Sequence, residues 1–388
     1  MSEAFVGFDL GEYASRQDAV RRRMEESALD ALIVSAPENI YYLSGYQTKA
    51  VFTFQFLLMT RQNGLQVFTR QMEHVNARNA VAVGALSGYS VYQDDEDPIA
   101  SASAFLDAQL PDGATVGLEL GSWAMPAQRY KDIVAGVSGR SWRDASTMVD
   151  RLRLVKSPAE LAVLREAGRI GDKVADNLFE AVRAGASEND LAAQTLTDLV
   201  AFGSEYPASW PNIMSGARTG LIHATWEGNR IDENDHVVME ITGVKGRYHA
   251  PSMRTILVGD ADDAVVRGAE ALVEAQAAAV AAIEPGAPLS AINDAAMAVL
   301  DRRNHGLTLA RRSGYSLGIG FPPSWGAQWQ VGLNSVVKDP LEVGMAFHVV
   351  CVGHLADGRA VNIGCTVALE DSGPVKLTRG GLFRSGQN

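Results

Sequence analysis

Val237-Val-Met-Glu-Ile-Thr-Gly-Val-Lys-Gly-Arg-Tyr-His-Ala-Pro-Ser-Met-Arg-Thr-Ile-Leu257 is an apolar run, a turn rich in glycine and charge, and a second apolar run. Val237–Met239 opens one strand, and Met253 to Val258 returns as another. Glu240 sits within this strand pattern. A carboxylate there needs a partner or a task, because burying it unpaired is expensive. Two readings are open: an ion pair with Arg254 or Arg247, or a carboxylate kept for chemistry.

Three further segments concentrate unusual residues. In Ser215-Gly-Ala-Arg-Thr-Gly-Leu-Ile-His-Ala-Thr-Trp226, His223 lies among small residues and is followed by Trp226. It is either a general base beside an aromatic wall or a satisfied core histidine. Arg312-Ser-Gly-Tyr-Ser-Leu-Gly-Ile-Gly-Phe-Pro-Pro-Ser-Trp325 is glycine-rich but has no G-x-G-x-x-G. Its glycines fit a backbone passing close to a ligand or another strand. Leu341-Glu-Val-Gly-Met-Ala-Phe-His-Val349 places His348 in an otherwise apolar strand, where partly buried histidines are common.

The rest of the chain frames these segments. Residues 1–152 alternate helical and strand patterns and read as an α/β domain with a mixed sheet. Tyr13 to Ala28 has helical spacing, as do stretches near 72–84, 98–109 and 124–135. Strands are expected at Asp30–Ala36, Phe56–Met59, Leu65–Phe68 and Thr115–Leu120, with Asn63-Gly64 as a hairpin turn. The second domain, 153–388, opens on a helix. Ser157 is its N-cap, Pro158 stands at N1, and Glu160 completes a capping box. Apolar residues recur at Leu161, Leu164, Ala167, Ile170, Val174, Leu178 and Val182, with Gly185 closing the pattern and Ser187-x-x-Asp190 capping the next helix. Strands then dominate, interrupted by a helical hairpin near 262–304 that breaks at Glu284-Pro-Gly286. The polar tail from Arg379 is expected to fray.

Composition narrows the function. The 388 residues carry 34 basic and 46 acidic side chains, a net charge of −12 that disfavours DNA, RNA and anionic membranes as partners. Two cysteines cannot build a disulfide framework. The start lacks a basic n-region and an apolar h-region, and the Ala271–Ile283 run is broken by Glu274 and Gln276. A cytoplasmic protein is expected.

Together these segments resemble the pita-bread superfamily of methionine aminopeptidase, aminopeptidase P, prolidase and creatinase. Asn39-Ile-Tyr-Tyr-Leu-Ser-Gly45 is similar to its N-terminal signature, Leu152-Arg-Leu-Val-Lys-Ser157 to its domain junction, and Leu341-Glu-Val-Gly-Met345 to its "LEPGM" turn. The resemblance implies a creatinase-type α/β N-terminal domain and a pita-bread catalytic domain. The metallopeptidases of this group hold metal with Asp, Asp, His, Glu and Glu. Placed through their local motifs, these fall on Glu240, Pro251, Leu317, Val350 and Gly364. Only Glu240 supplies a donor, whereas a divalent ion needs several converging. No metal and no other cofactor is therefore expected.

The ectoine hydrolases resemble the chain more specifically, through Ile222–Trp226, Glu240–Thr255, Gly314–Ala327 and Val343–His348. Two departures stand out: the family's acidic residues in the last strand are replaced in Val361-Asn-Ile-Gly-Cys365, and Ala327 replaces another acid. The resemblance implies a metal-independent hydrolase that cleaves a non-peptide C–N bond in a small zwitterionic or cyclic amidine substrate. His223 and Glu240 would be catalytic. Trp226, Tyr315 and Trp325 would wall a flat cation, and His249 and Arg254 would meet its carboxylate. Tyr248 and His348 are further substrate-binding candidates. A homodimer is implied, with the partner's Lys49–Gln55 stretch over the site, so Phe52 and Phe54 are also candidates. The alternatives are a dipeptidase-like or lyase member with unconventional metal binding, and a degenerate binding protein.

Overall fold

The computed structural model describes residues 7–61, 64–303, 305–326 and 331–385. The chain forms two compact units, Met1–Arg153 and Leu154–Asn388.

The first unit runs α1 (Leu10–Glu26), β1 (Ala31–Val34), α2 (Pro37–Ser44), β2 (Phe56–Thr60), β3 (Gly64–Arg70), α3 (His74–Ala82), β4 (Gly88–Tyr92), α4 (Pro98–Gln109), β5 (Thr115–Leu118), α5 (Ala127–Gly136), β6 (Ser141–Asp144) and α6 (Met148–Arg153). Its sheet has the order β4-β3-β2-β1-β5-β6. The pairs β1–β2 and β2–β3 are antiparallel, while β3–β4, β1–β5 and β5–β6 are parallel. This is the mixed α/β sheet that the alternating pattern predicts. Asn63 lies outside the described residues, but Thr60 and Gly64 on either side of the turn are paired. The Asn39 signature has a structural task. Asn39 Nδ2 donates to the buried Glu119 carboxylate at 2.7 Å, and Arg153 Nη1 donates to Asn39 Oδ1 at 2.8 Å. Burial, reinforced by the charge of Asp150, pushes the Glu119 carboxyl up to about 8.

The second unit opens on α7 (Pro158–Asn177), with the Ser157–Glu160 capping box formed on both sides. α8 (Glu188–Ala201) carries the Ser187–Asp190 box. Then come β7 (Asn212–Ser215), β8 (His236–Lys245), β9 (Tyr248–Leu257), α9 (Asp263–Ala281), α10 (Ser290–Arg302), β10 (Thr308–Leu309), β11 (Gly314–Ser316), β12 (Ala346–His354), β13 (Ala360–Glu370), β14 (Gly373–Lys376) and β15 (Gly381–Arg384). The apolar spacing of α7 runs on to Val182, yet the helix ends at Asn177. Leu178 and Val182 are still buried, held by turns rather than by a further helical turn.

The main sheet has the order β10-β12-β13-β9-β8-β7, with β11 on β12, β14 on β13 and β15 on β9. α7 covers β8 and β9, and α9 covers β12 and β13. The tail does not fray over Gly381–Arg384. Those residues pair in parallel with Arg254–Leu257, and the Phe383 ring rests 4.9 Å from that of Phe179. A backbone ladder and an aromatic contact outweigh the polar composition.

α7 lies close enough to β8 that a Cβ on Gly243 would stand 2.1 Å from the Ala167 carbonyl oxygen. The obstacle is backbone and cannot rotate away. Gly243→Ala is expected to destabilise the chain by roughly 1–3 kcal/mol or more, read as a lowered urea midpoint with an unchanged m-value. An unchanged midpoint would show that the helix can lift without cost.

Candidate active site

Strand alternation sorts the second unit's sheet into two faces. On β12, Phe347, Val349 and Cys351 pack into the core under α9, and on β13 so do Val361, Ile363 and Cys365. Both cysteines are free and buried, which pushes their thiols up to about 12. The alternate residues face the other way. Val350, Val352 and His354 of β12, Asn362 of β13, Glu240 of β8 and Asn212 of β7 line a cleft of about 530 Å³. Its walls include Trp210, His223, Arg312, Tyr315 and Trp325.

Glu240 is 4% exposed, at the floor of this cleft. Asn212, its cross-strand neighbour on β7, donates Nδ2 to Glu240 Oε2 at 2.8 Å. His348 Nε2 lies 3.2 Å from Glu240 Oε1. Each carboxylate oxygen therefore has its own neighbour, and neither Arg254 nor Arg247 is one of them. His348 is fully buried, with the Tyr315 ring edge-on to it at 5.5 Å. Trp325 Nε1 donates to the Tyr315 hydroxyl at 3.0 Å. Burial, and then the Glu240 charge, push the Tyr315 phenol up, so it stays protonated and its O–H can donate.

His223 stands exposed at the cleft with φ 64°. A left-handed backbone costs an ordinary residue roughly 1–2 kcal/mol, and such strain gathers at functional sites. Arg218 braces the loop. Its Nε bonds the buried Glu188 carboxylate at 3.1 Å, and its Nη2 donates to the Thr225 carbonyl at 2.6 Å.

The donor set does not fit the metal that the wider superfamily uses. Val350 and Gly364 are direct cross-strand partners on β12 and β13, so two ligand positions face each other without a donor atom. A Cβ on Gly364 would lie 2.8 Å from His348 Cε1 and 3.0 Å from Met253 Cβ. The imidazole beside Glu240 thus occupies the space a longer side chain at 364 would need. Among the described residues no group of three or more His, Cys, Asp or Glu could hold a metal ion.

The cleft brings together His223, Glu240, Tyr315 and Trp325 from the sequence-predicted set, and places the others elsewhere. His348 touches Glu240 from behind rather than lining the cleft. Trp226 is half-buried against the core beside α8, and Trp210, edge-to-face with it at 6.2 Å, lines the cleft in its stead. Tyr248 is buried and donates its hydroxyl to Glu160. His249 is no carboxylate anchor. Its Nδ1 donates to the Arg247 carbonyl at 2.8 Å and its Nε2 accepts the Ala208 N–H at 3.0 Å. Burial, with the Arg247 charge, holds its imidazole well below the usual range, so it is neutral and saturated. Arg254 pairs with Met239 rather than Glu240 in the β-ladder and so points to the helix face, where Asp172 at 2.9 Å and Asp176 at 3.4 Å neutralise it. Phe54 is 2% exposed in the first unit's aromatic core against Phe56 and Phe68, with no face left for substrate, whereas Phe52 is 75% exposed. Ala327 lies outside the described residues. Sequence reasoning missed Trp210, Asn212, Arg312, His354 and Asn362. Arg312 opens an already conspicuous glycine-rich segment, while Asn212 carries no signal until β7 is paired with β8.

Residues 162–372 match Metallopeptidase family M24, and residues 16–155 match the Creatinase/Prolidase N-terminal domain. An ectoine hydrolase of Halomonas elongata is 28% identical over 364 residues, 90% of each chain. An uncharacterised hydrolase/peptidase of Sinorhizobium fredii is 28% identical over 355 residues, 88% of this chain and 89% of the relative. Among solved structures, a prolidase from Thermococcus sibiricus superposes with a TM-score of 0.84 at 21% identity, covering 96% of this chain and 99% of the prolidase. No described helix is long and apolar enough to cross a membrane. With a creatinase-type first unit followed in sequence by a pita-bread second unit, the chain belongs to Metallopeptidase family M24, a hydrolase/peptidase family.

Proposed function

We propose that this chain is a metal-independent hydrolase that opens a non-peptide C–N bond in a small cyclic amidine or zwitterion. The observation that carries the reading is the fate of the metal site. One carboxylate, Glu240, is retained, hydrogen-bonded by Asn212 at one oxygen with His348 beside the other, while the other four positions carry no donor side chain. A buried carboxylate with an open face suits an amidinium, which presents N–H donors and a positive charge. Trp210, Tyr315 and Trp325 suit its flat faces through cation–π contact.

Hydrolysis adds water to the amidine carbon. His223 accepts the water's proton as the C–O bond forms. It returns that proton to the ring nitrogen as the C–N bond breaks, and the hydroxyl proton of the adduct passes to the departing amine as the C=O forms, leaving an amide and an ammonium. Glu240 holds the amidinium and stabilises the charge on the reacting carbon. The working unit is proposed to be a homodimer.

Ectoine, a cyclic amidinium with a carboxylate, is the probe to use first. Purified protein is expected to open it with substoichiometric Mn, Co, Fe and Zn by elemental analysis, to be indifferent to chelator, and to sediment as a dimer. Two equivalents of one metal, lost on chelation together with activity, would overturn the metal-free reading. So would metal-dependent cleavage of an Xaa-Pro dipeptide by a preparation inert to amidines.

A further inference from the structure

Among the described residues, the cleft lining carries one carboxylate, Glu240, and one guanidinium, Arg312. From this pairing of opposite charges we infer that Arg312 is the anchor for a substrate carboxylate, which makes the cleft selective for a zwitterion over a simple cation. The inference rests on the amidine reading above and adds the second pole of the ligand.

Arg312 is exposed, and among the described residues it has no carboxylate partner. Its guanidinium carbon lies over the Tyr315 ring, 5.3 Å from the centroid. That ring is itself fixed, by the Trp325 hydrogen bond at 3.0 Å and by its edge contact with His348. The backbone is fixed as well. Ser313 is buried, donates its hydroxyl to Asn293 Oδ1 at 2.9 Å, and accepts the Val350 N–H at 3.1 Å. Arg312, next to this fixed point, lines the cleft. A stacked guanidinium keeps its planar fork of N–H donors free, the geometry that fits a carboxylate through two bonds.

Neither histidine of the cleft lining competes for this role. His354 Nε2 lies 3.3 Å from the Gly220 carbonyl, and His223 is the acid/base. On the sheet floor, Asn362 is 2% exposed, and its Oδ1 has no hydrogen-bond partner among the described residues. An amide oxygen left unmet in the cleft floor accepts an N–H, as Glu240 does, so the cationic end of the ligand belongs there. Arg312 takes the anionic end.

The test compares ectoine with 2-methyl-1,4,5,6-tetrahydropyrimidine, the same amidinium ring without the carboxylate, by calorimetric binding and by turnover. Wild type should prefer ectoine by roughly tenfold to thirtyfold, the value of one charge-assisted pair near the surface. Arg312→Met should abolish that preference by raising Kd and KM for ectoine, with kcat little altered. Arg312→Lys should keep part of it, because the charge remains and the fork does not. Melting temperatures of both variants separate a lost contact from a lost fold. A wild-type preference that survives Arg312→Met intact overturns the anchor while leaving the amidine reading in place. If neither ring compound binds wild type, the amidine reading falls and takes the anchor with it.

Discussion

Replacing Glu240 by glutamine is expected to lower turnover by ~10²–10⁴ and to leave the melting temperature almost unmoved. The two side chains have the same shape. Asn212 can turn its amide over to present its carbonyl oxygen to the new NH₂ group, so little packing or hydrogen bonding is lost at 2.8 Å. What disappears is the negative charge that faces the substrate cation. His223→Ala should cost a similar factor, because the proposed proton transfer is lost while the exposed imidazole lies outside the core. Residues that act as a unit are not additive, so the double variant should be little worse than either single one. Denaturing mass spectrometry of the slowed His223→Ala enzyme after substrate addition asks whether Glu240 attacks: a mass adduct on that residue marks a covalent step. A steep fall in the melting temperature of Glu240→Gln would make Glu240 a structural residue. Full activity in that variant would remove it from catalysis.

Restoring the missing carboxylate at Gly364 should damage the protein rather than revive a metal site. Gly364→Glu drives a Cβ to 2.8 Å from His348 Cε1 and 3.0 Å from Met253 Cβ. It also brings a second carboxylate into the buried floor near Glu240, where an uncompensated charge costs roughly 3–5 kcal/mol. The expected loss is at least that large, read as a lowered urea midpoint or as insoluble protein. Vacating the ring in His348→Ala/Gly364→Glu should recover part of the stability, because the steric component is removed while the charge remains. A Gly364→Glu protein as stable as wild type, or one that takes up a divalent ion, would show that the His348 ring does not own this space.

Both predictions turn on a pair of strands whose local features can be read directly. The capping boxes at Ser157 and Ser187, the helical hairpin around Glu284-Pro-Gly286 and the turn between β8 and β9 all follow from residues within a few positions of one another. Such features are legible because capping, turn geometry and period-two alternation act over short stretches of chain. Glu240 announces itself for the same reason, as a charge inside an apolar run.

Partners supplied by distant segments are another matter. Arg254 lies close enough in sequence to pair with Glu240, yet the register sets it opposite Met239, one residue out of phase, so it faces Asp172 on the other side of the sheet. His249 looks available until Ala208 and the Arg247 carbonyl claim both its nitrogens. Phe54 looks like a substrate contact until Phe56 and Phe68 enclose it. For Arg254 the residue type is right and the direction of the side chain is not, because a one-residue shift of register moves a side chain to the opposite face; for His249 and Phe54, neighbours from other segments take up the side chain.

The sequence by itself determined the two-part α/β architecture and the helix starts, and it put no donor side chain at Pro251, Leu317, Val350 and Gly364, the positions that the family resemblance marks for metal ligands. Only the tertiary structure decided what stands in the vacated space. His348 and Gly364 are on neighbouring strands, and Asn212 reaches Glu240 from 28 residues away. Ligand chemistry is a property of a residue type, whereas a neighbour is a property of chain crossings, and strand pairing across long separations sets those crossings.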